Sequence, residues 1–180
     1  MPVSSSRTDR RARRGSAPDC PLEGDKRPQA SILGGMTDAL YNTRILRLAA
    51  SIPHEGRLQG PQASVLRVSP ICGSKVTVDL DLDREGRVAR FAQEVRACAL
   101  GQASAAVLGS NILGKTADEL AAARDQLAAF LKGAAETPGD WPDIDVLTPA
   151  RPHKGRHGSI LLAFQAAADA AADAASRQAA

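Results

Sequence analysis

Residues 76–83 alternate without a break: Val76, Val78, Leu80 and Leu82 are apolar, and Thr77, Asp79, Asp81 and Asp83 between them are polar. A period of two puts the two sets on opposite faces of a strand, so this segment is half buried, with its acidic face toward water. Arg84-Glu85-Gly86-Arg87 supplies a turn, and Ala89, Phe91, Val95 and Ala97 then lie on one face of a returning strand. Ser64 to Val68 has the composition of a preceding strand. Three such strands in succession predict an antiparallel meander.

Helical spacing surrounds it. Leu40, Tyr41, Ile45 and Leu48 mark a short amphipathic helix between Thr37 and Ala50, with Thr37 as its cap and Pro53 and Gly56 beyond its end. After Cys98, Leu100, Ala103, Val107 and Leu108 face inward on a helix from Ala99 to Leu113, and Leu120, Ala123, Leu127 and Leu131 mark another. Residues 133–155, rich in Gly, Pro and Asp and holding Trp141, read as loop. A last helix starts near His157, buries Ile160, Leu161 and Phe164, and fades into an alanine-rich end over 166–180. Strands followed by helices predict an α+β fold, a three-stranded antiparallel sheet packed against several helices.

At 180 residues and 43% apolar content the chain is long enough for one domain with a real core, and its 3% aromatic share makes that core aliphatic. No apolar run approaches the roughly 20 residues of a membrane span, and the N-terminus lacks the apolar middle of a secretory signal. A cytoplasmic protein with no membrane partner is expected. The net charge of +3 belongs to residues 1–35 alone, which carry seven Lys/Arg and four Asp/Glu; residues 36–180 are neutral. That distribution excludes a basic nucleic-acid-binding face on the domain. Segment 1–35 has too few apolar residues to offset the entropy of folding, so a disordered basic extension is expected, with Met36 as the natural start and a domain over 36–165. Cys20, in the extension, then has no role.

Two motifs invite a chemical reading. Gly109-Ser110-Asn111-Ile112-Leu113-Gly114-Lys115-Thr116 matches the letters of a phosphate-binding loop, but such a loop follows a buried strand, and here a helical segment precedes it. Gly114 instead suits a left-handed helix end, and Thr116 with Glu119 a capping box. The cysteines carry more. Cys72, before Gly73, opens the alternating strand, and Cys98 closes the next strand and begins a helix. A hairpin brings these points to one end of a sheet. A small neighbour allows close approach of a ligand, and a helix N-terminus favours a thiolate, the form that iron, iron-sulfur clusters and zinc require. Three cysteines without framework spacing stay reduced in a cytoplasmic protein. The competing reading is a buried cysteine that packs as a small hydrophobe.

From Met36 to Phe164 the chain resembles the iron-sulfur cluster assembly scaffolds of the IscU, SufU and NifU N-terminal family. The resemblance rests on Cys72-Gly73-Ser74 before a strand, Gly86-Arg87-Val88 at the hairpin, Ala97-Cys98-Ala99-Leu100-Gly101-Gln102-Ala103-Ser104, Gly114-Lys115-Thr116 and His157-Gly158-Ser159-Ile160-Leu161. It implies a scaffold that is not a turnover enzyme, on which three cysteines and an aspartate hold a nascent cluster or zinc, with a cysteine desulfurase and other assembly proteins as partners. Cys72 and Cys98 match two of those cysteines. Ser74 stands in place of the aspartate and Gly158 in place of the third cysteine, so the implied ligand set is Cys72, Cys98 and His157, completed by solvent, a small thiol or the second subunit of a homodimer. His157 has a rival role, a ring bonded to a backbone carbonyl. Lys115, Lys154 and Arg156 would flank the site and lower the thiols.

Three functions follow from these residues. The first is a cluster assembly scaffold binding iron, a cluster or zinc through Cys72 and Cys98. The second is a binding module for the assembly machinery that carries no cluster. The third is a zinc-dependent sulfur-transfer protein.

Overall fold

The computed structural model describes residues 40–180; Cys20, Thr37 and the basic extension lie outside them. Within that range the elements are α1 (Thr43–Ala49), β1 (Ala63–Val68), β2 (Lys75–Leu82), β3 (Val88–Arg96), α2 (Ala99–Gly109), α3 (Ala117–Lys132), a 3-10 helix (Ile144–Ala150) and α4 (Lys154–Gln178). The sheet is antiparallel in the order β1-β2-β3, the expected α+β meander. Asn42 caps α1, its side chain accepting from Ile45 N. The 3-10 helix falls inside the stretch expected to be all loop.

Val76, Val78 and Leu80 are fully buried on the face that packs on α4, which also contacts β1, α2 and α3. On β3 the apolar face holds at Phe91 and Val95, but Ala89 is exposed and Val88 buried in its place. The cause is a register shift: Asp81 pairs with Arg90, yet Leu82 pairs with Val88. One extra residue on β3 therefore moves Ala89 off the core face.

The other face of β2 is not wet. Asp79 is completely buried and Asp81 nearly so. Segment 54–62 explains both. It leaves the edge of β3, where Gln93 N donates to His54 O and Gly56 N donates to Gln93 O, and crosses the sheet to begin β1. Along the way Arg57 Nε and Leu58 N each donate to Asp79 Oδ2 (2.6 and 3.0 Å), and Gln62 N donates to Asp81 Oδ1 (2.7 Å). The acidic side chains hold a backbone strap over the half of the sheet nearest the β2–β3 turn.

The alanine-rich end is the largest departure from the sequence expectation. α4 runs unbroken to Gln178, and Ala166, Ala167, Ala168, Ala170, Ala171 and Ala174 are all buried. Small side chains let the sheet, α2 and α3 approach this helix closely. Interior packing of that kind leaves no contrast of polar and apolar faces for a sequence pattern to register.

Candidate functional site

Cys72 sits at the tip of the β1–β2 connection. Ser69 N donates to Ser74 O (2.8 Å) and Gly73 N to Ser69 O (3.0 Å), and Gly73 takes a φ of +68° that a side chain would oppose. The tight loop leaves the thiol exposed. β3 ends two residues before Cys98, which is the N-cap residue of α2, half-buried and with no side-chain capping bond. Ser159, on the second turn of α4, reaches between the two and is 1% exposed.

These side chains form a continuous chain of contacts. Cys72 Sγ lies 3.1 Å from Ser74 Oγ, Ser74 Oγ 3.0 Å from Ser159 Oγ, and Ser159 Oγ 3.4 Å from Cys98 Sγ. Ser69 adds a third hydroxyl: its Oγ is buried with no partner at hydrogen-bonding geometry, which leaves its proton free to turn to the nearby sulfur. The Ser69 and Ser74 hydroxyls bring the Cys72 thiol from its ordinary 9.0 down to about 7, because a sulfur anion gains from each donor aimed at it. Alkylation of the Cys72 peptide by iodoacetamide, followed by mass spectrometry, should therefore rise with pH through a midpoint near 7. Ser69→Ala should move that midpoint upward, since only the thiolate reacts and its strongest donor is gone.

Small residues make this convergence sterically feasible. A Cβ on Gly101 would stand 2.7 Å from both Ala97 Cβ and Ser159 Oγ. Gly101→Ala should gain about 1 kcal/mol in helix propensity and lose about 1–3 kcal/mol to overpacking. The net expectation is a destabilised protein in which Ser159 is pushed off Cys98, read by denaturant unfolding and by faster alkylation of Cys98. Gly158, which stands where the resemblance places a third cysteine, faces Ser69: a Cβ there would meet Ser69 Oγ at 3.1 Å. A side chain at 158 would press on the Ser69 hydroxyl, which would have to give by a few tenths of an ångström.

His157 is not drawn into this group. Its Nε2 lies 2.9 Å from Arg151 O and 3.3 Å from Ala150 O. A carbonyl only accepts, so Nε2 carries the proton and Nδ1 alone is left for a metal. Among the described residues no group of three or more His, Cys, Asp or Glu is arranged to hold a metal ion. Lys115 does not flank the thiols either. Gly114 N donates to Val88 O and Val88 N to Lys115 O, which fixes that loop at the opposite end of the sheet. There Lys115 pairs with Glu119 (3.1 Å) and lies 5.7 Å from the Trp141 ring. The loop follows α2, Ile112 is fully buried, and Thr116 and Glu119 close a capping box on α3; it has no phosphate cradle. Lys154 and Arg156 are exposed in the first turn of α4, one turn before Gly158. Ser69 escaped the sequence reading because a hydroxyl has no spacing signature; Ser74 and Ser159 lay inside the quoted Cys72-Gly73-Ser74 and His157-Gly158-Ser159 runs, but no spacing showed that their hydroxyls meet.

An exposed thiol lowered to about 7 and a half-buried thiol, joined through hydroxyls at one end of a three-stranded antiparallel sheet, make a pair of soft sulfur donors. The NifU-like N-terminal domain family matches residues 40–177, and the chain belongs to that family. Among solved structures it is similar to a nitrogen-fixing NifU-like protein (N-terminal) from Brucella abortus, with 44% identity and a TM-score of 0.74 over 79% of this chain and 99% of that one. It is also similar to a protein assigned as an iron-sulfur cluster assembly scaffold for the SUF system of the thermophile Fervidobacterium islandicum AW-1. That likeness, 19% identity and a TM-score of 0.69 over 75% of this chain and 98% of the other, speaks to fold alone. No curated protein matches the chain. No helix among the described residues is long and apolar enough to cross a membrane.

Proposed function

We propose that this protein takes part in iron-sulfur cluster assembly as a scaffold-type protein, holding iron or a nascent cluster as cargo through Cys72 and Cys98, with a cysteine desulfurase as the sulfur donor. One observation carries the reading: two thiols from distant parts of the chain are linked through Ser74 and Ser159, and the outer one is held at about 7, ready to bind as thiolate. Two protein ligands leave room on the cargo for a small thiol or for the same pair on a second chain, and a cargo held by few ligands is one that leaves readily. Family membership supports the scaffold role; the ligand roles of Cys72 and Cys98 are part of the proposal.

A second reading has its own observation. Hydroxyls or a bare backbone occupy the positions where the family resemblance implies a carboxylate and a third thiol, at Ser74 and Gly158. Such a chain would dock the assembly machinery and carry nothing. Purifying the full chain without oxygen and assaying iron and acid-labile sulfide per chain separates the two. Iron and sulfide in near-equal amounts support the cargo reading; their absence, before and after reconstitution with ferrous iron and sulfide, leaves the docking module.

A further inference from the structure

The chain closes one edge of its sheet and leaves the other bare. On β3 the outward backbone is taken up at two points: Gln93 N donates to His54 O and Gly56 N to Gln93 O, while Gly114 N donates to Val88 O and Val88 N to Lys115 O. β1 is the other edge. Ser69 N donates to Ser74 O, and the bonding side alternates along an antiparallel strand, so residues 67, 65 and 63 bond β2 and the backbone of Ser64, Leu66 and Val68 points away from it. Among the described residues no backbone group meets those three on the outer side. Leu66, Arg67 and Val68 are also exposed in succession. Alternate side chains of a strand point to opposite faces, so three exposed in a row mark an edge open from both faces.

A bare edge is a template for another strand, and proteins ordinarily block one with lysine, proline, a bulge or a covering segment. β1 holds no lysine or proline, pairs with β2 without a register shift, and turns its one charge, Arg67, to Asp169 on α4. Its sequence suits a copy of itself. The antiparallel register that engages all three outward residues is centred on Leu66: Leu66 faces Leu66 of the second copy, Ser64 faces Val68, and Val65 faces Arg67. That register exchanges two hydrogen bonds at each outward pair, joins two leucines that are each 56% exposed, and sets no like charges opposite one another. On the helix side of the edge, a groove of about 420 Å³ lined by Arg67, Val68, Arg124, Leu162, Gln165 and Asp169 carries both signs of charge. Such a surface is complementary to itself across a two-fold axis.

We infer that two copies of this chain pair through β1, edge to edge and antiparallel, and join their three-stranded sheets into one sheet of six strands with a two-fold axis at Leu66. The inference stands apart from the cargo reading. β1 runs toward the Cys72 loop, and antiparallel pairing sends the two loops away from the axis in opposite directions. Each chain keeps its own thiols free, and no shared cargo joins the copies.

The test is sedimentation equilibrium of the full chain, in reductant and with a metal chelator, over the micromolar range. The parent is expected to dimerise reversibly, and Cys72→Ser/Cys98→Ser to do the same. Leu66→Lys and Leu66→Glu each place like charges opposite one another on the axis, so each should raise the dimer dissociation constant by about tenfold or more. An equal mixture of the two variants should recover the dimer, because lysine then faces glutamate, and mixing does not repair a lost fold. Both variants replace an exposed side chain, and unchanged circular dichroism confirms their structure. Leu113→Lys, at an exposed leucine elsewhere on the surface, should associate as the parent does. A parent that is monomeric throughout, a dimer that survives Leu66→Lys, or a mixture that stays monomeric overturns the inference. A dimer that forms only without chelator, or that the double cysteine variant loses, overturns it too, since cargo would then be the joint between the copies.

Discussion

Cys72→Ser/Cys98→Ser is expected to lower the iron and sulfide retained per chain after anaerobic reconstitution by at least about tenfold, because a neutral hydroxyl replaces a soft thiolate at both protein ligands. Cys72 contributes most, as its thiol already lies near 7. The double variant should still fold. Cys72 is exposed, and at 98 the change places serine at the N-cap of α2, where the cysteine makes no capping bond. A serine oxygen there can accept from the second or third helical N–H, a gain of about 0.5–1 kcal/mol. The expected pattern is lost cargo with equal or slightly higher stability. Cargo retained at the parent's level would show that the thiols are not its holders, and a collapse in stability would show that Cys98 is mainly a packing residue.

The second large effect lies away from the thiols. Asp79→Ala is expected to cost about 3 kcal/mol in denaturant unfolding. The Asp79 side chain is 0% exposed, and its two oxygens accept from Arg57 Nε (2.6 Å), Arg57 Nη2 (3.1 Å) and Leu58 N (3.0 Å). Truncation leaves the Leu58 N–H without its acceptor and frees the strap from the sheet. The half-exposed Arg57 then returns to water, which keeps the cost below that of a charge stranded in the interior. Burial pushes the Asp79 carboxyl up, and Arg57, Ser64 and the Leu58 N–H together pull it further down, so it ends below the ordinary 3.8. A depressed carboxyl stabilises the fold fully above its unfolded value and loses that contribution as pH falls through the folded one. The parent should therefore lose stability below about pH 4, and Asp79→Ala should lose less over the same interval. An acid limb of the same slope in both proteins would remove Asp79 from its position as anchor of the strap.

Much of this architecture is visible in the residues. Strict alternation over 76–83 specifies β2, the Gly86 turn sets the hairpin, and the hairpin's geometry alone brings Cys72 and Cys98 to one end of the sheet. Alternation reports that a strand has two different faces, however, and is silent on what covers each. Asp79 and Asp81 read as solvated because carboxylates usually are; the strap that buries them is a long-range contact with residues whose own pattern is that of a loop. The alanines of α4 failed in the opposite direction. A run of small residues looks featureless along the chain and becomes core only because the sheet and two helices converge on it.

The site divides along the same line. Local sequence determined the order of the elements, the turn that exposes Cys72, and the helix start that carries Cys98, since these depend on periodicity, glycine and capping within a few residues. Only the tertiary structure decided that Ser159 bridges the thiols, that Ser69 stands against Gly158, and that the strap stops halfway along the sheet. The serine contacts depend on α4 meeting the β1–β2 loop across more than eighty residues of chain, and the strap on two carboxylates of β2. Distances of that kind are set by packing, which no local pattern encodes.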